Sequence, residues 1–277
     1  MTGFNVDVGP FQQTFISLLQ GGVPIQTIID IGSADGSFGL SCLVLKRDLH
    51  VLNVDANGIF ESSLKEIEDG LGIPYRIIAL SAHQGRITMG DGLADSPYHF
   101  MAGGEHSEKY IDCITLDSLL SEFCLPEPYF IKMDVEGMEF DVLQGAENTL
   151  SKTAAILMEQ HISGGSEVGD FSDKCNYLAR RSFSLFDIRD IYYKKRNLNL
   201  NAIDIQSGSD SNPAILATFH PVFINDRFDF RHMRDQVTSS EQEETDTTLL
   251  KNLTDRRLKY IESNRQLIAY LQRDNTV

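Results

Sequence analysis

The chain has 277 residues, 42% of them hydrophobic, and a formal net charge of −16. That length suffices for one large domain or two small ones, with an apolar fraction ordinary for a packed core. The acidic excess argues against nucleic acid as a partner, because phosphate recognition needs a basic surface. The cysteines, Cys42, Cys113, Cys124 and Cys175, form no CxxC pair, so reduced buried thiols are expected rather than a zinc site or a disulfide framework. There is no charged-then-apolar leader and no apolar run of the roughly 18 residues a membrane helix needs, so a soluble, cytoplasmic protein without a membrane span is expected.

Along the chain, strand and helix signals alternate, the pattern of a parallel α/β sheet. Phe11–Leu19 reads as an opening helix stopped by Gly21 and Gly22. Strands are predicted at Thr27–Ile31, His50–Asp55, Tyr75–Leu80, Tyr129–Met133 and Ala154–Glu159, each short and apolar as strands buried on both faces are. Helices are predicted between them at Phe38–Lys46, Gly58–Gly70, Leu116–Phe123 and Glu139–Leu150. Arg86–Ile114 is irregular and reads as an inserted loop or hairpin, of the kind that carries substrate contacts. His83, His99 and His106 lie in or beside it and read as solvated loop residues. Farther on come a helix at Phe171–Arg181 and strands at Phe183–Ile188 and Leu216–Ile224, with a polar loop at Asn197–Asn212. Pro221 cannot donate to a ladder, so the last strand is expected to begin after it or to bulge there.

Two segments carry the chemistry. In IIDIGSADGSFG, Ile28–Gly39, a buried strand ends at Asp30 and runs into Gly32, Gly36 and Gly39. Glycines there let the backbone turn sharply and approach a ligand, with a helix N-terminus aimed at it. The G-x3-G-x2-G spacing differs from the G-x-G-x-x-G of dinucleotide binders. It suits the amino-acid and ribose end of S-adenosylmethionine, and Asp55, ending the next strand, is positioned to accept ribose hydroxyls. A strand–turn–helix with no ligand is the plainer alternative. In the second segment, FIKMDVEGME at Phe130–Glu139, a buried strand ends in Asp134, Glu136 and Glu139.

These residues resemble the FkbM-type methyltransferases, within the class I S-adenosylmethionine-dependent fold. The resemblance rests on IIDIGSADGSFGL, NVDAN and ITLDSLL, and most on FIKMDVEGMEFDVLQGAENTL followed by ILMEQH. It runs from Thr27 to Asn225, with HPVFIND resembling the family's last strand. Two positions depart from the pattern: Gly32-Ser33-Ala34-Asp35 replaces the usual G-A-N, and Asp55-Ala56 replaces Glu-Pro. Aspartate keeps the ribose role with a shorter reach.

The resemblance implies a doubly wound, mostly parallel seven-stranded α/β sheet over residues 27–236, after an N-terminal helical segment at 1–26. It implies S-adenosylmethionine as cofactor, held by Asp30, Gly32, Ser33, Ala34, Gly36, Phe38, Asp55, Ala56 and Ser81. The implied reaction is O-methylation of a sugar, glycan or small metabolite, with Asp134, Glu136, Glu159 and His161 as the catalytic group. Asp134 leads because it ends a strand where ligands sit in open α/β sheets. An imidazole at His161 suits proton removal near neutral pH. Glu136 and Glu139 also read as carboxylates that merely favour a helix dipole, and Lys132 as the structural partner of an acid. A divalent metal on Asp134 and Glu159 is a competing mechanism that the spacing does not demand. Methylation of a protein or peptide side chain, and a silent scaffold, are the other readings.

Beyond Val237 the composition turns acidic, SSEQEETDTT, and then periodic. Ser240 and Glu243 have capping-box spacing. Leu250, Leu253, Arg257, Tyr260, Asn264, Leu267 and Leu271 alternate three and four apart. The expectation for 237–277 is an acidic linker and an amphipathic helical tail, serving homo-oligomer or partner contact or folding on its own domain.

Overall fold

The computed structural model describes residues 10–89, 109–161, 171–195 and 214–228. Helix α1 (Pro10–Gln20) ends where Gly21 and Val23 donate to the carbonyls of Ser17 and Leu18. Then come β1 (Thr27–Ile31), α2 (Ser37–Leu45) and β2 (His50–Asp55), followed by a short 3-10 turn at Gly58–Phe60 and α3 (Glu61–Leu71). The strand expected at Tyr75–Leu80 is two: β3 (Tyr75–Ile77) stays beside β2, while β4 (Ala79–Leu80) joins a separate three-stranded sheet. The Ile78 N–H donates the last bond of the β2–β3 ladder, to the Asp55 carbonyl at 2.8 Å, and the chain then leaves β2. The irregular insertion is a hairpin of β5 (Gly85–Met89) and β6 (Lys109–Ile114), whose connection lies outside the described residues.

The second half opens with α4 (Leu116–Leu120), β7 (Tyr129–Met133), α5 (Glu139–Gln144) and α6 (Glu147–Ser151). The single helix expected over Glu139–Leu150 is broken at Gly145 and Ala146, and position 145 must be glycine because a Cβ there would strike the Ser81 carbonyl. Asp117, from the ITLDSLL segment, restarts it. Its carboxylate accepts the Asn148 and Thr149 amides at 2.9 and 2.8 Å, satisfying donors that a helix start leaves open. There follow β8 (Thr153–Met158), β9 (Gln160–His161), α7 (Phe171–Ala179), β10 (Phe183–Lys195) and β11 (Ala214–Asn225). Strand β11 neither starts after Pro221 nor breaks there. It runs through, because its ladder to β8 begins at Val222 and Pro221 lies where no N–H is asked of it on that side. The polar loop at Asn197–Asn212, the boundary near Val237 and the tail helix lie outside the described residues.

The main sheet has the order β10-β11-β8-β7-β1-β2-β3, with β9 pairing β11. Strands β3, β2, β1, β7 and β8 are parallel, and β11 is antiparallel to both β8 and β10. This is a doubly wound sheet, and the order reverses between β1 and β7, the crevice where such sheets hold ligands. Alternation along the strands divides the core into two layers. Ile28, Val51, Phe130 and Leu157 pack with α1, α2 and α3, while Ile29, Leu52, Ile131 and Ile156 pack with helices α4 to α7. Phe15 and Leu18 of α1 are fully buried in the first layer, worth about 1.5–3 kcal/mol each.

Helix α2 lies close on the sheet because Gly39 lacks a side chain. A Cβ there would stand 2.7 Å from Val51 Cγ1. Gly39→Ala is expected to cost about 1–3 kcal/mol. Combined with Val51→Ala it should cost less than the sum of the two single changes, a coupling that urea unfolding of the four chains measures.

Candidate functional site

The crevice is built by the loops that follow β1, β2, β7 and β8. After β1, the Gly32 and Ser33 amides both donate to the Val54 carbonyl, at 2.8 and 3.1 Å, which ties the loop to β2. Gly32 has φ +72°, and any Cβ would strike the carbonyl of Asp134. Glycine is thus required by the neighbouring loop. Ala34 is also left-handed, at φ 47°. It is held there by Asp55, whose Oδ2 accepts the Ala34 amide at 2.7 Å while Oδ1 accepts that of Asn57 at 2.8 Å. A carboxylate has about four acceptor positions, so Asp55 keeps capacity for a ligand's hydroxyls.

The other expected cofactor residues divide. The Ser33 side chain is buried and its Oγ has no hydrogen-bond partner, as a ligand-facing hydroxyl would have before its ligand arrives. Ala56 is half-buried beyond Asp55. Gly36, left-handed at φ +78°, also answers to packing, since a Cβ would sit 2.6 Å from Ile67 Cδ1 and 3.1 Å from Leu64 Cδ2. Phe38 belongs to the core, its ring edge-on to Phe11 and Phe130. Ser81 is buried at the end of β4, where its amide bonds the Ile114 carbonyl. Glycine-loop amides, a buried free hydroxyl and a carboxylate together fit the amino-acid and ribose groups of S-adenosylmethionine.

Asp30 does not line the crevice. It is fully buried, with Oδ1 3.3 Å from Lys132 Nζ. The ammonium donates to the Gly32 carbonyl at 2.6 Å, lies 3.8 Å from Asp134 Oδ2, and is covered by the Phe11 ring. Neither Asp30 oxygen accepts a well-directed hydrogen bond. Burial therefore prevails over the attraction of Lys132 and lifts the Asp30 pKa to about 6. Burial also raises that of Asp55, against the two amides that oppose it. For Lys132 burial works against the charge, but Asp30, Asp134 and Asp55 outweigh it and raise its pKa. Lys132 is the structural partner that its place inside a strand suggested.

On the other side of the crevice stand the expected catalytic acids. Asp134, Glu136 and Glu159 are half-buried, with carboxylate oxygens within 4.8 Å of one another. The Asp134 amide continues the ladder to the Ile31 carbonyl, and the Glu159 amide to that of Met133, so two parallel strands deliver the acids side by side. Glu136 and Gly137 turn the chain at φ 53° and 100°. Glu139 is almost wholly buried, accepting the Gly137 amide and the ammonium of Lys174 at 3.2 Å each. It stands in the first turn of α5, where a carboxylate was expected, and is paired there with Lys174 as well. The backbone of His161 lies in β9, and its side chain is outside the described residues.

Sequence reading missed two residues here. His220, on β11, has Nε2 4.0 Å from Glu159 Oε1 and its ring 4.8 Å from that of Phe11. Its only sequence signal is a histidine within a strand. Lys174 is legible in hindsight, since Phe171, Lys174, Cys175 and Leu178 share one helical face and that face is apolar.

The parallel order reversed at β1 and β7, with an antiparallel strand beyond β8, defines the class I methyltransferase fold. Within it, residues 74–185 match the Methyltransferase FkbM domain. The hexuronic acid methyltransferase AglP of Haloferax volcanii is 29% identical over 140 residues, 48% of this chain and 54% of that protein. The match thus spans about half the length of that curated relative. Among solved structures, a putative RNA methyltransferase from Pyrococcus horikoshii superposes with a TM-score of 0.41 at 9% identity, covering 77% of this chain and 81% of that one. An S-adenosylmethionine-dependent methyltransferase from Clostridium acetobutylicum gives 0.40 at 7%, covering 78% and 90%.

The folded chain holds the Asp30 proton up to about pH 6, whereas an unfolded aspartate releases it near 3.8. This group's contribution to stability therefore falls as pH rises through that window. Asp30→Asn cannot ionise, so its stability relative to wild type should improve between pH 4 and 6.5. Urea unfolding of both chains at several pH values measures the change.

Proposed function

We propose that the protein is an S-adenosylmethionine-dependent methyltransferase acting on a hydroxyl of a sugar or glycan. The observation that carries this reading is the meeting, at the reversal of strand order, of a loop held by Asp55 with the acids ending β7 and β8. When bound, S-adenosylmethionine supplies an electrophilic methyl group on a sulfonium. The Asp55 carboxylate would accept the ribose hydroxyls, with Ser33 Oγ and the amides around Gly32 and Ala34 facing the remaining polar groups. Asp134 would align the acceptor hydroxyl and take its proton as the oxygen attacks, the two tasks an in-line displacement asks of a protein. The ammonium of Lys132 stands 3.8 Å from Asp134 Oδ2. A sugar acceptor is supported by the hexuronic acid named for the related archaeal enzyme.

A second reading has its own observation. Three carboxylates within 4.8 Å of one another offer the hard oxygen ligands that Mg2+ takes. Such an ion on Asp134, Glu136 and Glu159 would lower the pKa of the acceptor hydroxyl. Activity abolished by EDTA and restored by Mg2+ would favour it over direct proton removal by Asp134.

Calorimetry with S-adenosylhomocysteine tests the cofactor site. Asp55→Ala should lose about 1–3 kcal/mol of affinity through its charge-assisted hydrogen bonds. Asp134→Asn should bind within a few fold of wild type, yet lose most transfer of labelled methyl in a screen of neutral sugars and hexuronic acids. A wild-type chain that does not bind S-adenosylhomocysteine would sink the proposal.

A further inference from the structure

Lys174 belongs to no part of the reading above, and it is only 3% exposed. A lysine so placed loses its hydration and persists only where partners replace it. It has two: Gln160 Oε1 accepts from Nζ at 2.8 Å, and Glu139 Oε2 at 3.2 Å. These partners come from separate parts of the chain. Glu139 begins α5, directly after the turn that carries Asp134 and Glu136. Gln160 follows Glu159, at the corner between β8 and β9.

The contact at Glu139 reaches back into the turn. While Oε2 meets Lys174, Oε1 accepts the Gly137 amide at 3.2 Å. Glu136 and Gly137 are the two left-handed residues of that turn, at φ 53° and 100°. For a glutamate such a conformation is unfavourable and must be held by its surroundings. Lys174 therefore fixes Glu139, Glu139 fixes Gly137, and the same ammonium fixes the residue next to Glu159.

We propose that Lys174 is a positioning residue, holding the 134–138 turn and the β8–β9 corner together so that Asp134, Glu136 and Glu159 converge. This rests on the methyltransferase reading for what the convergence is for, but the holding itself is a property of the fold. Lys174 acts from the face of the sheet opposite Lys132. Lys132 is covered by Phe11 of α1, on the layer that holds Phe130, whereas the neighbours of Lys174 on α7 pack with the other layer. The acid cluster is secured from both sides of the sheet.

Amide hydrogen exchange of the full chain, resolved by residue, tests this. In Lys174→Met, exchange at Gly137 and Met138 should rise at least about tenfold, while Ile29 and Ile131 in the central strands stay within about threefold of wild type. A residue that merely stabilises the fold would raise exchange at all four. If Lys174→Met does not fold, because Glu139 is left as a buried unpaired charge, Lys174→Met with Glu139→Gln removes both charges and should show the same local opening. Uniform acceleration, or unchanged exchange at Gly137, overturns the proposal. Calorimetry with S-adenosylhomocysteine on the same chains keeps the two readings apart. Absence of binding by wild type would remove the methyltransferase reading while the exchange pattern still decides the role of Lys174.

Discussion

A single ammonium at the crossing of β1 and β7 organises this molecule. Lys132 emerges from a strand buried at every position, and its charge has no route to water. It is tolerable only because Asp30, Asp134 and the Gly32 carbonyl surround it. Those groups belong to the strand ends that define the crevice. Removing the lysine would leave a buried carboxylate without its cation and would unfasten the glycine loop from the strand beside it. The N-terminal helix is drawn in as well, since the Phe11 ring covers Lys132 and meets His220 from the far end of the sheet.

Charge in this region is unequally shared. Asp30, Asp55, Asp134, Glu136, Glu139 and Glu159 gather around the strand ends, with Lys132 and Lys174 as buried cations among them. A local negative excess in a partly desolvated crevice favours a positively charged ligand, and a sulfonium is one. The raised pKa values of Asp30 and Asp55 have the same origin, burial of acids faster than cations arrive to balance them.

Much of this was legible in the sequence because the signals were local. The parallel strands β1, β2 and β7 fall where short apolar runs end in glycine or acid, since a strand covered on both faces needs apolar residues throughout. The glycine loop, Asp55 and the Asp134 turn could be read for the same reason. What escaped depends on contacts between distant segments. Gly36 reads as a ligand-facing glycine, and its packing against Leu64 and Ile67 shows only in the fold. Asp30 looks like a binding residue until Lys132 is seen beneath it. Glu139 is a helix-start carboxylate, but its pairing with Lys174, from 35 positions away, has no local signal. The need for glycine at 145 was hidden for a like reason, because the carbonyl that excludes a side chain there belongs to Ser81, far earlier in the chain.

The contact of Gly32 with the Asp134 carbonyl has a consequence for how such a protein can diversify. The two loops share a surface with no intervening side chain, so neither can be re-shaped while the other is kept. A change to the β7 turn must leave the backbone at Asp134 in place, and one to the glycine loop meets the same wall from the other side.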